Sequence, residues 1–87
     1  MKIKGNFTVA ELAGEYVAVP LGEGDFRGVI KLNESGAEVF RGLIAGEQEE
    51  QLIGRLTAKY PDLDRATAAK AVALVLEELK EADLLEA

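Results

Sequence analysis

The sequence lacks the residue types that most enzymes use for chemistry near neutral pH. None of its 87 residues is cysteine or histidine, which excludes disulfides, thiol nucleophiles and imidazole acids, bases or metal ligands. Ser35 is the only serine, and no histidine is present to activate it. We therefore expect no catalytic residue, no metal site and no cofactor, which argues against an enzyme.

Long apolar runs and an excess of positive charge are also missing. No stretch approaches the roughly 18–20 apolar residues of a membrane span, and residues 1–5 lack the apolar core of a signal peptide. Acidic residues outnumber basic residues by 16 to 10, giving a net charge of −6. Such a charge disfavours phosphate-rich partners. We expect a cytoplasmic protein that binds neither nucleic acid nor membrane.

In the N-terminal part of the chain, glycines alternate with β-forming residues, a pattern that predicts three strands. They cover residues 7–12, 15–21 and 26–32. Ala13-Gly14 separates the first pair, and a glycine-rich loop, residues 22–25, separates the second. Connections this short favour an antiparallel meander.

Three helices are predicted after the strands, over residues 34–45, 47–60 and 65–82. Asn33 and Asp64 precede two of them and are good N-cap residues, because their side chains can accept hydrogen bonds from unpaired amides of the first turn. We expect Leu84 and Leu85 to fold back onto the core. The residues predicted to face inward are Ala37, Phe40, Leu43, Ile44, Leu52, Ile53, Leu56, Tyr60, Ala69, Val72, Leu76 and Leu79.

This order of elements indicates an α+β fold in which a three-stranded antiparallel meander precedes a three-helix bundle. The last two helices also fit a winged helix-turn-helix-like arrangement. Residues 1–87 are too few for two hydrophobic cores, so we expect a single domain.

Residues 32–43, LNESGAEVFRGL, resemble the LN-x-x-G-x-x-x-W-x-L-L signature of the PqqD family, named for pyrroloquinoline quinone biosynthesis protein D. The resemblance continues through residues 47–60, 68–72 and 79–85. There are three departures. Phe40 stands where the family usually has Trp, and Ala71 stands where it commonly has Asp. Asp83 stands where the family usually has glycine. Asp83 can adopt the left-handed conformation that such a helix exit requires, though less readily than glycine.

The resemblance implies a non-catalytic binding role. PqqD-like domains are small winged-helix domains, also called RiPP precursor-peptide recognition elements. They bind the leader of a ribosomally made precursor peptide and present it to a modifying enzyme, often a radical SAM enzyme. The leader adds as a strand beside the third strand and packs against the third helix.

The residues themselves fit such a site. The third strand of a meander has one free edge, which can pair with an extended peptide. In the third helix a second apolar stripe can form the opposite wall, and Arg27 and Lys31 can pair with acidic leader residues. The candidate peptide-binding residues are Arg27, Val29, Ile30, Lys31, Ala71, Leu74, Val75 and Glu78.

Other interpretations remain open at this point. Arg27 and Lys31 fit equally well as charges that protect a strand edge, and Leu74 and Val75 fit the core. A winged-helix DNA-binding regulator is the alternative function, although Arg65 and Lys70 are the only early basic residues of the third helix. The same free edge would also allow a homodimer.

Overall fold

The computed structural model describes residues 2–21 and 28–86. Its strands and helices follow the predicted order, with one short strand added at each end. The elements are β1 (Lys2–Ile3), β2 (Asn6–Leu12), β3 (Glu15–Leu21), β4 (Ile30–Leu32), α1 (Glu34–Ile44), α2 (Glu49–Lys59), α3 (Arg65–Glu81) and β5 (Leu85–Glu86).

Strands β2, β3 and β4 form an antiparallel sheet in that order, which confirms the predicted meander. Ala13 and Gly14 connect β2 to β3, and both have positive φ values, +52° and +81°. A two-residue turn with this backbone matches the twist of the strands it joins.

The predicted extent of the third strand, residues 26–32, is wrong. Strand β4 begins only at Ile30. Gly28 has a φ of +103°, a conformation outside the extended region, and neither Gly28 nor Val29 is in a strand. The predicted first half of the strand, up to Arg27, lies outside the described residues.

A second, two-stranded sheet joins the two ends of the described chain. β1 pairs antiparallel with β5, Lys2 opposite Glu86 and Ile3 opposite Leu85. Leu84 and Leu85 are buried, which confirms that they fold back onto the core. Asp83 lies where the chain turns from α3 into this sheet. Its φ of +58° is the left-handed conformation that this helix exit is expected to require.

The helices begin largely where their caps predict. Asn33 Oδ1 accepts a hydrogen bond from the Gly36 amide at 2.7 Å, and Asp64 Oδ1 accepts one from the Thr67 amide at 2.7 Å. The second helix was predicted from Glu47 but begins at Glu49. The reason is a local cap, since the Gln48 amide donates to the Gln51 side chain at 2.8 Å.

Helix α1 lies at the centre of the fold and packs on the strands as well as on α2 and α3. Phe40 is fully buried, and its ring meets that of Phe7 edge-on, with centroids 5.5 Å apart. One predicted inward position is wrong: Ile44 is 41% exposed, whereas Val39 is fully buried. In α3, Ala69 is half-buried against the core as predicted, and its neighbour Ala68 is fully buried. Helices packed on several sides bury a wider face than one stripe.

No helix among the described residues is both long and apolar enough to cross a membrane.

Candidate functional site

Strand β4 lies at an edge of the three-stranded sheet, and that edge is open among the described residues. Strand β4 pairs with β3 along one side, placing Lys31 opposite Val17 and Leu32 opposite Tyr16. Along its other side no strand pairs with it in residues 2–21 and 28–86. An open edge presents unpaired amides and carbonyls, which makes it a template for another extended chain.

A groove with a cavity volume of about 260 Å³ lies beside this open edge, between β4 and the C-terminal half of α3. We call it the edge groove. Its walls are mainly apolar, so it offers both backbone hydrogen-bonding groups and a surface for apolar side chains. The lining residues are Ile30, Lys31, Leu32, Asn33, Gly36, Leu74, Val75, Glu78, Leu79, Ala82 and Leu84.

The structure brings together five of the eight residues predicted from the sequence. Ile30 and Lys31 line the edge groove from β4, and Leu74, Val75 and Glu78 line it from α3. These two segments are more than 40 positions apart in the sequence. The fold therefore places β4 and α3 side by side, with a cleft between them.

The other three predicted residues are placed differently. Ala71 is half-buried against the core, about one turn before Leu74, and Val29 is 55% exposed just ahead of β4. Neither is among the described lining residues of the edge groove. Arg27 lies outside the described residues.

Six lining residues were not predicted as site residues. Asn33 and Gly36 enter the groove because β4 leads directly into α1, and the Asn33 cap holds that junction. Ala82 and Leu84 follow from the chain reversal after α3. The expected fold-back of Leu84 was the one sequence signal for this part of the wall.

Exposure distinguishes the two apolar residues of α3. Leu74 is 60% exposed, which excludes the alternative that it packs in the core. Val75 is half-buried and packs against the core cluster while also lining the groove. Leu74 and Val75 therefore present apolar surface in the groove beside the open strand edge.

Two charged residues line the edge groove, Lys31 on the strand and Glu78 on the helix. Neither forms an ion pair within the described part of the chain. Lys31 also borders a second cavity of about 310 Å³, together with Glu15 and Glu34. Because both side chains are exposed and neither is ion-paired within the described chain, both charges are accessible to a bound molecule.

The opposite side of α1 carries a charge network that the sequence analysis missed. Glu38 accepts hydrogen bonds from Arg55 at 2.6 Å and from Lys59 at 3.2 Å, and Arg55 Nε also donates to Glu47 at 2.9 Å. Burial of the Glu38 carboxyl would raise its pKa, but the hydrogen bonds and charges of Lys59 and Arg55 outweigh burial, and the pKa is lowered. This network joins α1 to α2 and leaves the edge groove free.

The third helix offers little to a nucleic acid. Arg65 is ion-paired with Glu50, which leaves Lys70 as the one early basic residue of α3 without an ion pair in the described chain. DNA-binding helices place several unpaired basic and polar side chains at the groove. The alternative of a DNA-binding regulator gains no support from this arrangement.

A three-stranded meander with an open edge, followed by three helices, defines a winged helix-turn-helix-like α+β domain. Residues 15–85 match the family model described as coenzyme PQQ synthesis protein D (PqqD). The chain belongs to the PqqD family.

A solved structure, TbiB1 in complex with the TbiA(beta) leader peptide, has a similar fold. The two structures superpose with a TM-score of 0.76 at 26% sequence identity, over 99% of this chain and 95% of that chain. A search of curated proteins found no match to this sequence.

Proposed function

We propose that the chain binds the leader segment of a ribosomally synthesised precursor peptide, which adds as a strand to the open edge of β4. The observation that carries this proposal is the edge groove, where an unpaired strand and an exposed apolar helix face lie side by side. Membership of the PqqD family and similarity to TbiB1, whose structure contains a leader peptide, support it.

The energetics favour an extended ligand. Each main-chain hydrogen bond to β4 contributes about 0.5–1.5 kcal/mol, and each apolar leader side chain that becomes fully buried contributes about 1.5–3 kcal/mol. Leu74 and Val75 supply the apolar surface. Together these terms offset the cost of ordering a flexible peptide, about 2–5 kcal/mol.

Charges at the strand then add selectivity. Lys31 is exposed, lacks an ion pair in the described chain, and lies where the leader would run. An acidic leader residue opposite Lys31 would form a cross-strand ion pair. From the sequence, we propose that Arg27 pairs with an acidic leader residue, and that Val29, which is exposed just ahead of β4, contacts the peptide.

We further propose that the chain is a non-catalytic adaptor and that a modifying enzyme, of the radical SAM class, receives the bound leader. Lys31 and Glu78 are the ionisable residues among the described residues of the edge groove, and one lysine and one glutamate on separate elements, not paired with each other, make no catalytic constellation. A short precursor gene next to a radical SAM gene would support this partner.

The open edge also provides a mode of self-association, because two copies can pair their β4 strands about a two-fold axis. We propose that this homodimer competes with the leader, since both need the same backbone groups. Sedimentation of the protein alone and with peptide measures the competition. A dimer that persists at saturating peptide would contradict it.

Amide chemical-shift mapping tests the proposed function. The probes are synthetic peptides covering the N-terminal part of each short reading frame beside this gene. We expect one peptide to shift β4 and the C-terminal half of α3. Shifts confined to α2, or no binding by any of the peptides, would contradict leader binding at this site.

A matched pair of variants makes this test specific. Leu74→Glu places a charge in the edge groove, whereas Leu12→Glu changes a residue of similar exposure, 64% against 60%, outside the groove lining. Since loss of one apolar contact costs at least about 1.4 kcal/mol, Leu74→Glu should weaken peptide binding tenfold or more by calorimetry. Leu12→Glu should leave it unchanged.

A further inference from the structure

The helical wall of the edge groove contains a single carboxylate within the described residues, that of Glu78. Leu74, Val75 and Ala82 line the same wall, and Glu78 forms no ion pair with any described residue. We propose that the peptide bound here carries a basic side chain that faces α3 and pairs with Glu78. This inference rests on the proposed function and specifies the class of peptide.

Strand geometry determines which peptide positions face the helix. Ile30 and Leu32 pack against the core, so Lys31 between them points to the opposite face of the sheet. A strand added beside β4 continues the same pleat, and its side chains alternate between these two faces. A peptide residue that faces α3 therefore lies an odd number of positions away from the peptide residue opposite Lys31.

This alternation gives the peptide a charge pattern. The basic residue that meets Glu78 and the acidic residue that meets Lys31 lie on opposite faces of one strand. They are therefore separated by an odd number of positions, whichever direction the peptide runs. The remaining helix-facing positions meet Leu74, Val75 and Leu84 and should be apolar.

The physical reason for a basic residue is the state of the Glu78 carboxylate when the groove is filled. An apolar peptide side chain above it would remove water from an unpaired charge, which is costly. An acidic side chain would repel it, whereas Lys or Arg would form a charge-assisted hydrogen bond. Glu78 thus discriminates by penalising the wrong peptide as well as by attracting the right one.

Two other acidic residues of α3 provide controls. Glu77 and Glu81 are exposed on the same helix and are not among the described residues that line the edge groove. Glu77→Lys changes the net charge by the same amount as Glu78→Lys, which separates a local contact from the long-range field of the protein.

Selection from a phage-displayed library of random twelve-residue linear peptides on the full chain tests the proposal. The wild-type protein should enrich peptides with a basic and an acidic residue at an odd separation. Glu78→Gln should lose the preference for the basic residue, and Glu78→Lys should replace it with an acidic one. Glu77→Lys should select the same pattern as the wild type.

Calorimetry on one enriched synthetic peptide then gives the size of the effect. We expect binding to weaken about two- to fivefold in Glu78→Gln and about tenfold in Glu78→Lys, consistent with a partly exposed ion pair. Replacing the peptide's basic residue with glutamate should restore binding to Glu78→Lys. Unchanged thermal unfolding of both variants would show that the fold is intact.

The outcomes separate this inference from the proposed function. Enriched peptides that shift β4 but show no basic residue at the odd separation, or no response to Glu78→Lys, would overturn the inference alone. If the wild-type protein enriches no peptide that binds at β4, both the inference and the proposed function are overturned.

Discussion

At the scale of single residues, the contact between α1 and α2 depends on the absence of a side chain at Gly42. A Cβ atom there would lie 2.4 Å from Leu52 Cδ2 and 2.9 Å from Glu47 Oε1. Leu52 is fully buried and Glu47 is held by Arg55, so neither can move away without loss of other contacts. Gly42 therefore sets the distance between the two helices.

We predict that Gly42→Ala lowers the free energy of unfolding by about 1–3 kcal/mol, because overpacking outweighs the higher helix propensity of alanine. Gly54→Ala in α2 is the matched control. Its Cβ meets nothing within 4 Å, so it should stabilise the protein by about 0.5–1 kcal/mol. Urea denaturation measures both, and a stabilising Gly42→Ala would contradict the packing described here.

The Glu38 network predicts a pH dependence of stability. Burial opposes ionisation of Glu38, but Lys59 and Arg55 outweigh burial, so its pKa is lower in the folded protein than the ordinary value of 4.5. The unfolded chain therefore takes up a proton at a higher pH than the folded chain does. The stabilisation is fully present above pH 4.5 and is lost as the pH falls through the lowered pKa.

Thermal unfolding between pH 6 and pH 3 tests this prediction. The melting temperature of the wild type should fall over the acidic part of this range. Glu38→Gln should be less stable than the wild type at pH 6, and the difference should shrink towards pH 3. A difference that is constant over the whole range would show that the ion pairs of Glu38 contribute nothing.

At the scale of elements, the pairing of β1 with β5 was not predictable from local sequence. Lys2 and Ile3 form a two-residue strand, which is too short to show any periodicity. Its partner strand lies more than 80 residues away, and only the tertiary fold brings them together. The fold-back of Leu84 and Leu85 was predictable because two adjacent leucines after a helix need burial.

Ile3 should contribute substantially to stability despite its position near the chain terminus. It is 7% exposed and belongs to the core cluster. We predict that Ile3→Ala lowers the free energy of unfolding by about 2–4 kcal/mol, through lost burial and the remaining cavity. Lys2→Ala, on the exposed face of the same strand, should change it by less than about 0.5 kcal/mol. Similar effects for both would argue against the β1–β5 sheet.

The helices were predictable where a cap and a periodic apolar pattern agree. Asn33 and Asp64 mark the starts of α1 and α3 correctly because each makes a short local hydrogen bond. The second helix begins two residues after the predicted start at Glu47, and Glu47 lies before it and pairs with Arg55. Local patterns do not report such tertiary contacts.

At the scale of the whole molecule, the two walls of the edge groove were predictable but its outline was not. Periodicity identified Leu74 and Val75 as a second apolar stripe on the third helix. Strand alternation predicts Val29 in the groove, on the face opposite Ile30 and Leu32, but β4 begins only at Ile30, after Gly28 with its φ of +103°. Asn33, Gly36 and Ala82 line the groove because β4, α1 and the end of α3 meet there, and local sequence does not show how these elements meet.

The central claim is that the open edge of β4 accepts an extended peptide as a fourth strand. Isotope-edited nuclear Overhauser measurements on the complex with a leader-derived peptide test it most directly. The account predicts cross-strand contacts between peptide protons and the backbone of Ile30, Lys31 and Leu32, with side-chain contacts to Leu74. A bound peptide that is helical, or that shows no backbone contact with β4, would contradict the account.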